Sequence, residues 1–305
     1  MRKKILIFGA NGLVGNSTKR ILAKSDYEVI ASSRLDTDLF NLDQVKNKIM
    51  DSKPDIIVNA AAKVGGILAN NTYRSEFLIE NLKINMNILE ACIPYPDIKI
   101  INLGSSCIYP LNAENPIKES SIMEGKLEHT NSPYAMAKLS AIELGNSLSI
   151  QYGHQVVNLM PTNLYGPNDN FDENNSHVIP GLISRMHQAK ISNSSKFQIW
   201  GSGNPLREFL YVDDLAYAIE FIISKDMSTN LINIGSGEEV SIMDLAQIIK
   251  NIVGYDGMLD FDKTKPDGNP RKLLDSSQIM KMGWKPIHNL ETGIKKTYDW
   301  FLGNS

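Results

Sequence analysis

At 305 residues the chain is long enough to bury a large core, most simply as two lobes. With 42% hydrophobic and 21% charged residues it has the composition of a globular protein, and a formal net charge of −3 gives no reason to expect nucleic acid or a membrane surface as partner. No window approaches the apolar length of a bilayer span, and the run Ile5 to Phe8 is too short for a signal-peptide core.

Two cysteines, Cys92 and Cys107, make no disulfide framework, so a reducing, cytoplasmic setting is expected. No metal-ligand set is assigned.

Lys3 to Phe8 reads as a buried strand. Gly9, Gly12 and Gly15 follow, and then a helical pattern over Leu13, Val14, Thr18, Ile21 and Leu22. A glycine turn between strand and helix permits a tight bend and close approach to a pyrophosphate, with N–H groups and the helix dipole aimed at the phosphates. The spacing is G-x-x-G-x-x-G. Glu28 to Ala31 is the second strand, followed by Ser32-Ser33-Arg34 with Asp36 nearby. An acidic residue at that strand end would bind a ribose 2′-hydroxyl, whereas an Arg suits a 2′-phosphate. Arg34 therefore favours NADP over NAD, NADH being the less favoured cofactor; the alternative for Arg34 is an exposed loop cation.

Pro54 to Asn59 is a third buried strand, and the small residues Ala60 to Ala62 after it let a flat cofactor lie against backbone. A long helical pattern follows through Phe77, Leu78, Asn81, Leu82, Asn85, Ile88 and Leu89, with a stripe that suits the core or a second subunit. Lys99 to Leu103 is the next strand. Ligands bind beyond the carboxyl ends of strands in open α/β sheets, which puts Ser105 and Cys107 where chemistry is expected. As alternate residues of an extended segment they would point the same way. Ser105 could hydrogen-bond a substrate carbonyl. Cys107 could act as acid or base, or be a small buried filler.

SPYAMAKLSA places Tyr134 and Lys138 four residues apart. On a helix, started by Asn131 or Ser132 as cap and Pro133 in the first turn and running to about Tyr152, they share a face. A neighbouring ammonium would favour the phenolate and acidify Tyr134 for proton transfer. Taken alone the pair is more often a solvated Tyr and Lys on an amphipathic helix, since Tyr-x-x-x-Lys recurs by chance. Gln155 to Met160 is expected as the sixth strand, followed by PTNLYGP.

Beyond residue 165 a polar loop carries His177, which could be a surface residue or helix cap. Ile179 to Lys190 is helical and carries Arg185, Phe197 to Trp200 is a short strand, and Arg207 falls in the turn after it. Asp213-Asp214 begin a helix whose dipole they complement. Asn233 to Gly237 and a helix from about Ile242 belong to a smaller lobe. Arg185, Arg207, Arg271 and Lys272 could clamp a diphosphate, though each alone is an ordinary surface cation.

In this order the glycine turn, Ser105 and Tyr134-x-x-x-Lys138 resemble an extended short-chain dehydrogenase/reductase. NAAAKVGGI, GSSCIYP, EHTNSPYAMAK, MPTNLYGPNDNF, SHVIP, REFLYVDD and KPDGNPRKLLD resemble the GDP-L-fucose synthase family, from Gly9 to Trp300. The resemblance implies an α/β fold with a doubly wound parallel (Rossmann) sheet over residues 1–165, completed by about 209–231. A smaller, discontinuous substrate-binding lobe would occupy 166–305.

It further implies NADPH-dependent 3,5-epimerisation and 4-reduction of a GDP-4-keto-6-deoxy-mannose in one site. The rival is a C4 reductase of another GDP-4-keto sugar, such as a deoxyheptose, without epimerisation. Ser105, Tyr134 and Lys138 would form the reductase triad, with Cys107 and His177 the acid/base pair in either order. Gly9, Ala10, Asn11, Gly12, Leu13, Val14, Gly15, Arg34, Lys138, Pro161, Thr162, Asn163, Leu164 and His177 would hold NADPH. Arg185, Trp200, Arg207 and Asp267 would contact the GDP-sugar, with Lys272 near its phosphates. A homodimer would form through helices near Phe77 to Cys92 and Pro133 to Tyr152. Two departures are visible: Asn11 stands where the family often has an Arg, and LDTDLFNLD after Arg34 is slightly longer than usual.

Overall fold

The structure, a computed structural model, describes residues 2–172, 175–227, 229–265 and 267–304. Glu173 and Asn174 of the polar loop and Pro266 of the KPDGNPRKLLD string lie outside the described residues. In chain order the strands are β1 (Lys3–Phe8), β2 (Tyr27–Ser32), β3 (Ile56–Asn59), β4 (Lys99–Leu103), β5 (Val156–Pro161), β6 (Asn163–Tyr165), β7 (Lys196–Trp200), β8 (Leu206–Tyr211), β9 (Leu231–Ile234), β10 (Glu239–Ser241), β11 (Met258–Asp262) and β12 (Arg271–Lys272). The helices are α1 (Leu13–Leu22), α2 (Leu42–Ser52), α3 (Ile67–Thr72), α4 (Arg74–Cys92), α5 (Ser132–Tyr152), α6 (Val178–Ile191), α7 (Val212–Ile223), α8 (Ile242–Val253), α9 (Ser277–Lys281) and α10 (Leu290–Asn304).

Six strands form one parallel sheet in the order β2-β1-β3-β4-β5-β9. The two-residue period of β1 sends Ile5 and Ile7 to one face and Leu6 and Phe8 to the other, and both faces are covered. Ile219 and Ile222 of α7 pack on the first face; Val45, Ile49, Ile84 and Ile88 of α2 and α4 pack on the second. Each such aliphatic side chain contributes about 1.5–3 kcal/mol on burial. The sheet is therefore doubly wound, as expected. After β1 the chain goes to β2 on one side and returns to β3 on the other, which opens a crevice at the carboxyl ends of β1 and β3.

The strand expected as the sixth is the fifth. Between Leu103 and Val156 the chain forms two short 3-10 turns, Ser106–Ile108 and Glu119–Ser121, and then α5. Pro133 sits in the first turn of α5 as expected, and Gly153 ends the helix in the left-handed region at φ 78°.

The smaller lobe packs α6, α8 and α10 around Ile183, Met186, Ile249 and Phe301. Arg207, expected in a turn, is the second residue of β8, paired with Val240 of β10 and Lys272 of β12. Those partners come from distant parts of the chain, so the local pattern did not disclose the strand. The helix expected to start at Asp213-Asp214 is α7, and both carboxylates anchor it. Asp213 accepts from Ser17 Oγ at 2.5 Å and pairs with Arg20. Asp214 accepts from the backbone N–H groups of Ile287 and His288 at 2.9 and 3.2 Å. No helix among the described residues is long and apolar enough to cross a membrane.

Candidate active site

The glycine turn follows β1 and lies against the end of β3. Gly9 has φ 76°, and a Cβ there would come within 2.7 Å of Ala61 N. A Cβ on Gly15 would meet Gly9 O at 2.1 Å, so α1 can touch the turn only because residue 15 is glycine. Gly12 differs: its nearest neighbour for a Cβ would be Gly9 O at 3.5 Å, and it is exposed at the N-cap of α1 with no side-chain cap. Gly12 thus leaves helix N–H groups open, a cradle that fits a pyrophosphate. Asn11 is exposed, Ala10 is buried beneath the turn, and Leu13 and Val14 begin α1 half-buried.

Beyond β2 the Arg34 guanidinium lies 5.5 Å from the Phe40 ring centroid and is exposed. Asp36 accepts from Ser33 N at 2.8 Å and Ser33 Oγ at 2.6 Å, which draws that carboxylate into its own turn. An exposed Arg beside an occupied Asp fits a 2′-phosphate better than a bare 2′-hydroxyl. At the end of β5, Pro161 closes the strand, Thr162 Oγ1 and Asn163 Nδ2 donate to Glu208 O at 3.1 and 2.8 Å, and Leu164 lies in β6.

Ser105, Cys107 and Tyr134 converge past the end of β4. Ser105 and Cys107 are not alternate residues of an extended segment. Ser105 is extended (φ −163°) but caps the 3-10 turn that holds Cys107, whose N–H donates to Ser105 Oγ at 3.2 Å. The turn forms because Ser is a good cap and the strand has run out of ladder partners. Ser105 also hydrogen-bonds Tyr134, which packs edge-on to Phe77 at 6.4 Å between centroids.

Lys138, one turn further along α5, is 2% exposed and donates to Leu103 O at 2.7 Å. Leu103 lies one residue past the last β3–β4 pair, Asn59 with Asn102, so its carbonyl has no ladder partner on that side. The Lys138 Nζ is 5.8 Å from the Tyr134 ring centroid. Burial pushes the Lys138 ammonium down to about 8.

The expected acidification of Tyr134 is not found. Burial, and then the charge of Cys107, push the phenol well above its ordinary value, against the Ser105 hydrogen bond. The reason is that enclosure of the hydroxyl outweighs an ammonium that is itself desolvated and turned to a carbonyl. A phenol held neutral in this way is a proton donor at neutral pH.

The Cys107 sulfur receives Asn131 Nδ2 at 3.4 Å and Lys272 Nζ at 3.7 Å. Lys272, expected near phosphates, thus faces the thiol, because β12 pairs with β8 beside this turn. Asn131 occupies the N-cap of α5 but its side chain makes no cap bond. His177 is the N-cap residue of α6, with Nδ1 4.0 Å from Asp169 Oδ1 and 46% of its side chain exposed. It sits beside the glycines of NAAAKVGGI: Gly66 N–H donates to Asn175 O at 3.1 Å, and a Gly66 Cβ would meet Ser176 O at 2.7 Å. Gly65 in turn lies against Phe77, the ring that meets Tyr134. Cys107 and His177 therefore lie on different elements.

A second corner gathers Trp200, Arg207 and Asp267. Asp267 accepts from Ser202 N and Oγ at 2.6 and 2.8 Å, and these bonds lower its carboxyl together with Arg207. Trp200 is 66% exposed, with Lys265 Nζ 5.5 Å from its ring centroid. Arg207 is half-buried, and burial lowers its guanidinium against the pull of Asp267. Arg185 is held separately on α6, over the Phe197 ring at 5.3 Å. Arg271 is taken up by Glu239 through bonds of 2.7 to 3.0 Å, which argues against its place in a diphosphate clamp. Among the described residues no group of three or more His, Cys, Asp and Glu could hold a metal.

Sequence reasoning missed a buried asparagine ladder beneath the site. Asn59 Nδ2 donates to Asn102 and Asn85, and Asn102 Nδ2 donates to Asn158, each at 3.0 Å. Asn81 continues it to the backbone of Lys63. The signal was present: β3, β4 and β5 read IIVN, IINL and VVNLMP, each with an Asn amid apolar residues, and the three asparagines share one register.

Comparison with known proteins agrees with this geometry. Residues 5–235 match the NAD dependent epimerase/dehydratase family. GDP-L-fucose synthase 1 of Arabidopsis thaliana is 45% identical over 302 residues, covering 99% of this chain and 94% of that protein. A GDP-L-fucose synthetase from Naegleria fowleri bound to NADP superposes with a TM-score of 0.91 at 31% identity, covering 100% of this chain and 95% of that one. A GDP-6-OMe-4-keto-L-xylo-heptose reductase from C. jejuni gives 0.92 at 31% identity, covering 100% and 99%. The chain belongs to the NAD dependent epimerase/dehydratase family and, within it, groups with the GDP-L-fucose synthases.

Proposed function

We propose that this protein converts GDP-4-keto-6-deoxy-D-mannose to GDP-L-fucose by 3,5-epimerisation and NADPH-dependent reduction at C4. The observation that carries the reading is the convergence of Ser105, Cys107 and Tyr134 past one strand end, with Lys138 directly below. A C4 ketone acidifies the hydrogens on C3 and C5. Inverting each carbon needs one group to take a proton and another to return it on the opposite face, and Cys107 and His177 are two titratable groups from different elements. Ser105 and Tyr134 donate hydrogen bonds to the enolate oxygen. NADPH held at the Gly9–Gly15 turn would supply the hydride for C4. Tyr134 gives its proton to the resulting alkoxide, which is a stronger base than the phenolate left behind. Lys138 orders the end of β4 through its bond to Leu103 O and would hold the cofactor ribose.

The open cradle at Gly12, Arg34 and the end of β5 would hold NADP(H) in preference to NADH. Trp200 offers an exposed face on which a base can stack, with Arg207, Asp267 and Arg185 as further contacts to a GDP-sugar. Separate apolar cores in the sheet lobe and around α6, α8 and α10 support a division at about residue 165. The segment returned to the sheet lobe runs past the expected 231, since β9, with Asn233 that was expected in the smaller lobe, is the sixth strand of the sheet and Ile279 and Trp284 pack in its core. Half-exposed Ile79, Met86 and Met136 on α4 and α5 support a homodimer through those helices, checked by molar mass from light scattering. Two free cysteines fit a cytoplasmic setting.

The fit of the C. jejuni heptose reductase favours one rival, C4 reduction of a GDP-4-keto-heptose without epimerisation. Incubation with NADPH and a panel of GDP-4-keto sugars in deuterated water, with products read by NMR, separates the two. GDP-L-fucose carrying deuterium at C3 and C5 is expected. Reduction without deuterium would favour the rival, and no NADPH oxidation with any sugar would defeat both.

A further inference from the structure

Asn131 sits at a helix start, where an Asn side chain ordinarily accepts from the first-turn N–H groups. Here it does not. Glu128 accepts the N–H groups of Thr130 and Asn131 at 3.0 and 3.1 Å, and the hydroxyl of Thr130 at 2.5 Å. With Pro133 in the first turn and no cap bond made, the Asn131 side chain points instead at Cys107 Sγ, 3.4 Å from its Nδ2, while its Oδ1 is buried with no partner. An unpaired buried carbonyl oxygen costs about 1–3 kcal/mol, so the arrangement is retained against a simpler cap.

Lys272 reaches the same sulfur from the other lobe and is held there by backbone. Leu273 N–H donates to Asn115 Oδ1 at 2.7 Å, Ile117 N–H to Leu273 O at 2.8 Å, and Asp275 N–H to Ile117 O at 2.8 Å. Leu274 N–H donates to the buried Glu208 carboxylate at 3.1 Å. The segment that follows the Cys107 turn is thus laced to the strand that carries Lys272.

We infer that Lys272 and Asn131 are positioning residues that hold negative charge on the Cys107 sulfur for its proton transfer; this rests on the function proposed above. An ammonium and an amide N–H aimed at one sulfur stabilise its anionic form. As the sulfur takes a proton from carbon, the C–H electron pair enters the enolate and an S–H bond forms. A half-turn of the Asn131 amide then brings the unpaired Oδ1 to accept that S–H, so one side chain serves both protonation states.

The test is the rate of Cys107 alkylation by iodoacetamide across pH, which needs no sugar; Cys92 is fully buried and does not compete. Lys272→Met is expected to slow alkylation at pH 7 about tenfold and move its pH dependence upward, Lys272→Arg to restore most of the rate, and Asn131→Asp to slow it further through like charge. Should Lys272→Met fail to fold, Lys272→Gln replaces it. Identical rates and pH dependence in the parent, Lys272→Met or Lys272→Gln, and Asn131→Asp would overturn the inference. Slowed alkylation in the variants, with a parent enzyme that turns over no GDP-4-keto sugar, would uphold the charge at sulfur and reject the proposed function alone.

Discussion

Replacing Lys138 by Met should make the unliganded protein more stable at neutral pH while abolishing reduction. In the folded chain the ammonium is buried and its value falls from 10.5 to about 8. That difference corresponds to about 3 kcal/mol. The sign follows from proton counting. Between about pH 8 and 10.5 the unfolded chain binds a proton that the folded chain has shed, so parental stability rises with pH through that window. Below pH 8 the folded chain carries the whole desolvation cost.

Met removes that cost but leaves Leu103 O without its donor, a loss of about 1–2 kcal/mol. The net expectation is a gain of about 1–2 kcal/mol at pH 7 that disappears by pH 10, as the parent recovers. Urea denaturation of both proteins at pH 7 and pH 10 measures it. A Met variant less stable than the parent at pH 7, or one whose advantage is the same at both pH values, would refute the reasoning.

Three further expectations rest on other parts of the fold. Gly12→Ala should fold normally, because its Cβ meets nothing closer than 3.5 Å, yet should weaken NADPH binding about tenfold or more by filling the cradle. Gly15→Ala, which drives a Cβ against Gly9 O, should lower Tm by several degrees as well, so calorimetry and cofactor titration together distinguish the two. Asn102→Ala removes the middle of the asparagine ladder and leaves Asn158 Oδ1 without its donor. A loss of about 2–4 kcal/mol in urea denaturation is expected, and a loss under about 0.5 kcal/mol would show that the ladder is not a stabilising network.

The sequence disclosed what is local. Apolar runs of four to six residues marked β1, β3, β4 and β5, and Asn131-Ser132-Pro133 marked the start of α5. Gly9, Ser105 and Tyr134 could be assigned to one crevice because parallel sheets bind at their carboxyl edge. What stayed hidden depends on partners distant in the chain. β8 looked like a turn because β10 and β12 are needed to make it a strand. That Lys272 reaches Cys107 was not visible, because nothing near it in the chain says that its strand lies beside that turn. The Tyr134–Lys138 spacing gave their common face correctly but not their charge states, which follow from burial and from the carbonyl that Lys138 meets. Each asparagine of the ladder looked like an isolated polar residue in an apolar strand, and only the sheet register joins them.

The most direct measurement is NADPH oxidation by Tyr134→Phe with GDP-4-keto-6-deoxy-D-mannose, at matched cofactor affinity and thermal stability. Loss of the phenolic proton should lower turnover by about 10²–10⁴-fold, with deuterium exchange at the sugar carbons less affected because Cys107 and His177 remain. Reduction at the parental rate in that variant would contradict the account.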